Sequence, residues 1–326
     1  MLLLSTLQQF DIQLADFLTL LIAVGLLVFF APAALTTPLV AAITESLTIK
    51  KHKAFYGKCA RQMGQTSFGI GLLIVTLLGV GAGIMLLQFQ PELLEPPLVW
   101  GPAAALGLPL LALLLQSIYL GTFDKLKKAK PLHLSLGYLA AFLTLFILLL
   151  SFLFLGAIQQ PIPSMPFWEA PYDSMVRLLG FFIASPQAWL VAVYIFFLGI
   201  AVGAGISQLW LIVRRHIVDY GRDYYNFAMH YCARLSLCFT LLATAVAGVL
   251  FWLLWQSIPP EFRQPQDVGI LIVSFGLPVS CCILWLCILK SDTPLRHKPG
   301  AFFACLFLFV ALCAQILFYL STYPMI

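Results

Sequence analysis

The stretch FFAPAALTTPLVAAITESLTIKKHKAFYGKCARQMGQ, residues 29–65, decides the fold class. It is apolar for most of a helix, reaches a single carboxylate at Glu45, and then turns into a basic segment. The apolar run begins near residue 17, and about 20 apolar residues are enough for a helix to cross a bilayer. The pattern therefore predicts a membrane-spanning helix with a carboxylate about one turn from its end.

The composition of the whole chain extends this prediction. Of the 326 residues, 62% are hydrophobic and 10% are charged, whereas soluble domains carry roughly a quarter charged residues. Eight apolar runs predict an all-α, polytopic integral membrane protein with eight transmembrane helices. The runs cover residues 17–45, 66–89, 98–122, 133–158, 187–213, 235–256, 268–290 and 301–323.

The basic residues predict the orientation of these helices. Of the 18 Lys and Arg residues, 16 follow the odd-numbered runs, and only Arg177 and Arg263 lie in the other loops. The positive-inside rule makes the basic side cytoplasmic. Both termini are then extracytoplasmic, and the expected location is a bacterial cytoplasmic (inner) membrane. Because the net charge of +5 follows from this topology, no nucleic-acid partner is predicted.

One long connection, QQPIPSMPFWEAPYDSMVRLLGFFIASPQ, divides the predicted helices into two sets of four. Its Pro, Trp and Tyr residues favour a loop with a short interfacial helix around residues 173–182. The tripeptide Cys-Ala-Arg occurs at 59–61 and again at 232–234, as two parallel repeats would place it, although three residues also recur by chance. The predicted domains are a first four-helix bundle at 1–160, the extracytoplasmic loop at 161–186, and a second four-helix bundle at 187–326.

Glu45 is the first candidate for chemistry. A carboxylate deep in lipid costs roughly 2.5–3.5 kcal/mol and usually faces the interior of a bundle. At a helix end the favoured interpretation is an ion pair with a nearby cation, here Lys50, Lys51 or Arg61. A proton-handling role is the alternative.

The histidines are the second group of candidates. None of the five lies in the middle of an apolar run, whereas a b-type haem needs axial ligands that project from facing helices. His133 and His230 open the fourth and sixth runs and are the one pair that would suit a haem. A solvated or capping histidine is the usual meaning at a helix end, so haem b is not predicted.

Polar residues within the runs are the third group. Gln116 and Tyr194 are expected to form hydrogen bonds between helices. A quinone head group also needs one or two such donors beside an apolar channel, so both residues are candidates for quinone binding. The eight cysteines form no CxxC motif and are interpreted as packing residues rather than metal ligands.

Several stretches together resemble subunit I of the cytochrome bd-type quinol oxidases. LQSIYLGTF at 115–123 is similar to the family's LESTFVGLF, and a basic loop and His133 follow it. IQQP at 158–161 and SPQAW at 185–189 resemble the family's sequences after span four and at the start of span five. The opening stretch matches at Pro32, Leu35, Thr36, Glu45, Tyr56 and Gly64. The likeness covers about the first 250 residues.

The chain departs from this family at the positions that hold its cofactors. The alignment puts Leu27 where the family has the haem-ligating His of span one, and Tyr194 at or next to the His of the low-spin haem site. Gln116 stands where the family has a Glu used in proton delivery. The quinol-binding loop after span six is reduced to about a dozen residues, the family's Gly-Arg-Gln-Pro-Trp motif is missing, and a ninth span is absent.

The resemblance and the departures together suggest a haem-poor relative of that subunit. We expect an integral membrane subunit of a respiratory or electron-transfer complex, with electron carriers in other chains, that binds quinone or anchors a redox partner. It is not expected to catalyse a reaction alone. Glu45, Gln116, His133, His230 and Tyr194 are the candidate quinone or haem contacts. The expected partners are membrane lipid, quinone and other subunits.

Two alternatives remain open at this stage. The first is an active quinol oxidase subunit with haem b held by relocated ligands. The second is a transporter of small molecules or lipids, or a structural scaffold. Transporters often bind their substrate near the midplane with broken helices and buried charges. Pro109 and Pro278 interrupt two runs, but no charged residue lies at mid-membrane depth, which favours the electron-transfer complex.

Overall fold

The computed structural model describes residues 14–89, 100–126, 129–158, 180, 186–218, 220–257 and 265–322. This part of the chain is all-α and contains eight long helices. A 3-10 turn, Pro294–His297, precedes the last helix. The helices are α1 (Leu14–Lys51), α2 (Ala54–Phe89), α3 (Trp100–Thr122), α4 (Lys130–Ile158), α5 (Pro186–Arg214), α6 (Arg222–Ser257), α7 (Pro265–Lys290) and α8 (Lys298–Thr322).

Seven of these helices are long and apolar enough to cross a membrane, whereas the sequence predicted eight membrane-spanning helices. The apolar part of α3, Leu106–Thr122, is shorter. Many large apolar side chains lie on the outside, and Leu77, Phe142 and Ile272 are each more than 60% exposed. Such a surface is stable only against lipid. The chain therefore has the architecture of a polytopic helical membrane protein, while its sidedness stays a prediction.

The helices extend beyond the apolar runs that predicted them. α2 begins at Ala54 rather than near residue 66, and α6 begins at Arg222 rather than near 235. Hydropathy detects only the part of a helix that faces lipid, and the hydrogen-bonded backbone continues through the polar turns before it. Pro109 and Pro278 do not end their helices, since both lie inside continuous α-helix.

The chain forms two compact units. The first unit is Ala34–Phe196, and the second unit is the chain up to Ala33 together with the chain from Phe197 onward. The boundaries fall within α1 and α5, whereas the sequence suggested a division in the loop at 161–186. That predicted division stays a prediction. The predicted interfacial helix at 173–182 lies outside the described residues apart from residue 180.

Small residues make the close contacts between helices in both units. In the second unit, α7 packs against α6 and α8, and the 3-10 turn contacts all three of these helices. At Gly205 in α5, a Cβ would lie 2.9 Å from the Sγ of Cys305 and 3.5 Å from the ring of Trp285. In the first unit, α3 packs against α2 and α4. Small residues at such crossings let backbones approach closely, which is how membrane helices gain packing energy.

Candidate functional site

Glu45 lies in the last part of α1, inside the first unit, with its side chain 12% exposed. Its carboxylate makes two short contacts: the hydroxyl of Tyr119 donates to Oε2 at 2.7 Å, and Nδ1 of His133 lies 2.7 Å from Oε1. These contacts join α1 to α3 and to α4. We call Glu45, Tyr119 and His133 the carboxylate cluster.

The expected ion pair of Glu45 with Lys50, Lys51 or Arg61 was wrong. At about 100° per residue, Lys50 and Lys51 point roughly 140° and 120° away from Glu45 around α1, on opposite sides, and both are exposed. The Nζ of Lys51 donates instead to the hydroxyl of Tyr56, at 3.3 Å. Arg61 forms an ion pair with Asp124 at 2.8 Å.

His133 is buried, with 3% of its side chain exposed, so of the two interpretations offered by the sequence, a solvated or a capping histidine, the solvated one does not apply. Its Nε2 lies 2.9 Å from the backbone carbonyl of Tyr119, in the last turn of α3. The hydroxyl of Thr122 donates to the same carbonyl at 3.2 Å, so two side-chain donors meet it near the end of α3. The imidazole also stacks on the Tyr119 ring at 4.7 Å and meets the Phe123 ring edge-on at 5.0 Å.

Two glycines make room for Tyr119 within the bundle. A Cβ at Gly137 of α4 would lie 2.9 Å from Cε2 of Tyr119, closer than real Cβ atoms approach. A Cβ at Gly64 of α2 would lie 3.5 Å from Cε1 of the same ring. Gly137 therefore allows the phenol to lie flat against α4, where its hydroxyl reaches Glu45.

Gln116 lies one turn before Tyr119 in α3 and is buried. Its Oε1 is 3.5 Å from the Oγ of Ser67, which donates to the carbonyl of Ala34 at 2.8 Å. Pro38 has no amide hydrogen, so this carbonyl lacks its usual partner four residues on. Sequence reasoning missed Ser67. The proline within α1 was the signal, because it predicts a free carbonyl at residue 34.

A small cavity lies at the centre of the first unit, beside Gln116 and Tyr119. All four helices, α1 to α4, contribute to its lining, mostly through small residues such as Ala41 and Ala140. Its volume is about 10 Å³, close to the minimum of roughly 10–15 Å³ that one water molecule needs. A quinone head group does not fit a cavity of this size.

The other predicted contacts lie apart from the carboxylate cluster. His230 belongs to the second unit, where it is half-buried and its Nε2 donates to the carbonyl of Ser291 at 3.0 Å. Tyr194 is half-buried in α5, and no hydrogen bond joins it to the cluster. Of the five predicted residues, the structure thus brings Glu45 and His133 into direct contact and places Gln116 one turn from their partner Tyr119.

Two positions considered for a haem in the sequence analysis, Leu27 and His133, offer no free ligand atom. Leu27 offers no ligand atom and is 39% exposed. Both ring nitrogens of His133 already have partners, so iron would displace Glu45 or the Tyr119 carbonyl. Within the described residues, no three His, Cys, Asp or Glu side chains form a group that could hold a metal ion.

The chain matches no protein-family model and no curated protein sequence. The likeness to cytochrome bd subunit I therefore stays a resemblance carried by the stretches quoted above. The carboxylate cluster is the feature from which a function can be argued.

Proposed function

We propose that the chain is an integral membrane subunit of a respiratory or electron-transfer complex, that it carries no haem, and that it serves a quinone-linked redox partner. The observation that carries this proposal is the carboxylate cluster. A buried Glu, His and Tyr in mutual contact are costly in a membrane protein, and such groups mark sites where protons are exchanged. Quinone reduction is a reaction of the membrane interior that needs protons.

The resemblance to bd oxidases supports the same class of complex. The positions at which the chain differs from that family favour a subunit that does not carry the electrons itself. Leu27 removes one haem ligand of the family, and Gln116 replaces its proton-carrying Glu. Glu45 and His133 supply protonatable groups that contact Tyr119, one turn from Gln116. The electrons would then pass through a partner chain, while this chain supplies lipid-embedded helices and a proton donor.

The proposal is tested on the chain purified in mild detergent. A reduced-minus-oxidised absorption spectrum reports haem, and extraction of the same sample reports quinone. We expect bound quinone without a haem b band. A haem b band would establish the oxidase alternative instead. Absence of both, together with no redox protein co-purifying from native membranes, would leave a transporter or a scaffold and would refute the proposal.

Variants then locate the quinone. Gln116→Leu and His133→Leu change buried polar groups of the first unit and are expected to lower the amount of extracted quinone several-fold by altering the helix surfaces against which it would lie. Ser117→Ala is the matched control, because its hydroxyl bonds only to the carbonyl of Leu114 in its own helix. Equal amounts of extracted quinone from all three variants and from the wild-type chain would show that the first unit does not bind the quinone.

A further inference from the structure

The hydrogen bonds of the carboxylate cluster fix how many protons it holds. The Tyr119 carbonyl can only accept, so Nε2 of His133 carries a hydrogen. The 2.7 Å contact between Nδ1 and Oε1 then needs one hydrogen between two atoms that otherwise both accept. That hydrogen lies on the imidazole or on the carboxyl, and both descriptions give the Glu45–His133 pair a net charge of zero.

We propose that the cluster is a proton-binding site, which holds one exchangeable proton between Glu45 and His133 and loosens the contact of α4 with α1 or α3 when that proton leaves. The number of protons follows from the geometry alone. The use of the proton by a quinone rests on the proposed function.

Loss of the proton removes one of the contacts of α4. If the remaining hydrogen of the imidazole stays on Nε2, the Nδ1 lone pair faces a carboxylate oxygen, and the two atoms repel each other. If that hydrogen moves to Nδ1, the Nε2 lone pair faces the carbonyl of Tyr119 instead. The first case opens the contact between α4 and α1, and the second opens the contact between α4 and α3.

Gain of a second proton is disfavoured by the same bonds. The imidazole would then be charged, and the carboxyl would carry a hydrogen on Oε2, where the hydroxyl of Tyr119 now donates. The Tyr119 hydroxyl would have to turn away and lose its acceptor. An unpaired polar hydrogen is costly in a buried site, so the neutral pair is the form that satisfies every contact.

The charged groups on the surrounding elements have other partners or are exposed. On α1, Lys51 bonds to Tyr56, and Lys50 is exposed. Arg61 of α2 pairs with Asp124, which follows α3. Among the residues that the structure describes, no further charged group pairs with Glu45 or His133. The hydrogen bonds that Glu45 and His133 make to other side chains are therefore to each other and, for Glu45, to the Tyr119 hydroxyl.

A neutral pair of this kind suits proton supply within a membrane. A quinone that receives two electrons from a partner's redox centre takes up two protons. The cluster would give up one of them as the negative charge develops, and it would regain one from the aqueous phase when the quinol leaves. Each cycle restores the neutral pair, and the loosening of α4 occurs only while the proton is absent.

The experiment uses the full chain freed of quinone, so that its result is independent of quinone binding. Infrared difference spectra recorded across a pH titration detect the carboxyl of Glu45, and nitrogen chemical shifts of ¹⁵N-histidine detect His133. We expect one coupled step in which both signals change together. The step should be absent from Glu45→Gln and from His133→Gln, and it should persist in the matched control His230→Gln.

Hydrogen exchange on the wild-type chain provides the second measurement and does not depend on the folding of any variant. Amides in the first turns of α4 should exchange several-fold faster above the step than below it, while those of α8 should not change. Tyr119→Phe keeps the Glu45–His133 contact and should keep the step. Independent titration of Glu45 and His133, or a step without faster exchange in α4, would overturn the proposal.

Discussion

Ser67 is expected to stabilise the first unit because it satisfies a carbonyl that Pro38 leaves without a helical partner. The hydroxyl donates to the carbonyl of Ala34 at 2.8 Å, and Ser67 is 1% exposed. Ser67→Ala would leave this carbonyl buried without that donor. We expect the variant to be less stable than the wild-type chain.

The magnitude follows from the surroundings of the carbonyl. An unsatisfied buried acceptor costs about 1–3 kcal/mol, whereas hydrogen bonds between membrane helices average roughly 0.6 kcal/mol and reach about 1.7. The average energy of a hydrogen bond between membrane helices is small because a group that loses its partner usually finds another one within reach. Since proline removes the amide at residue 38, the loss at Ala34 should lie near the upper membrane value, about 1.5 kcal/mol.

The assay is equilibrium unfolding in mixed micelles with increasing denaturing detergent. Ser135→Ala is the matched control, since its hydroxyl bonds only to Leu132 in its own helix and is exposed. Pro38→Ala restores the missing amide, so the effect of Ser67→Ala should shrink by about 1 kcal/mol in that background. The reasoning fails if Ser67→Ala and Ser135→Ala are equally stable. It also fails if Ser67→Ala costs as much stability in the Pro38→Ala background as in the wild-type chain.

Two further predictions concern the carboxylate cluster. Tyr119→Phe removes the donor to Oε2 of Glu45 and should lower the free energy of unfolding by about 1.5–3 kcal/mol, the value of a hydrogen bond to a charged carboxylate. Unfolding in mixed micelles measures this change. A smaller loss of stability than that of Ser135→Ala would contradict the prediction. Gly137→Ala places a methyl group 2.9 Å from the Tyr119 ring and should be about 1–3 kcal/mol less stable than Gly69→Ala. Gly69 has nothing within 4 Å of its Cβ position, so equal stabilities would show that Tyr119 moves freely.

The sequence was sufficient to predict the helices, because apolar length acts along the chain. It placed Glu45 near a helix end and suggested cations as partners. It could not say which way the carboxylate faces, since that depends on rotation about α1 and on helices 74 and 88 residues away. The partner is therefore a buried histidine rather than the neighbouring lysines, whose side chains point elsewhere around α1.

The same limit explains the other differences. Gln116 was correctly placed inside an apolar run, but its neighbour Ser67 was overlooked because a single serine at the start of an apolar run carries no distinct hydropathy signal. The chemistry of Pro38 was readable in advance, since a proline within a helix always leaves one carbonyl free. Features fixed by backbone chemistry can be predicted from one sequence, whereas contacts between distant helices require the packed arrangement.

The distance in sequence between Glu45 and His133 has a consequence for biosynthesis. The two residues are 88 positions apart, so Glu45 is translated well before the histidine. Until the segment with Tyr119 and His133 has been made, the carboxylate of Glu45 lacks both of the partners that it has in the folded chain. The nascent helices must wait for the start of α4 before the first unit can close. Premature termination just before residue 130 should therefore yield a product that the cell degrades.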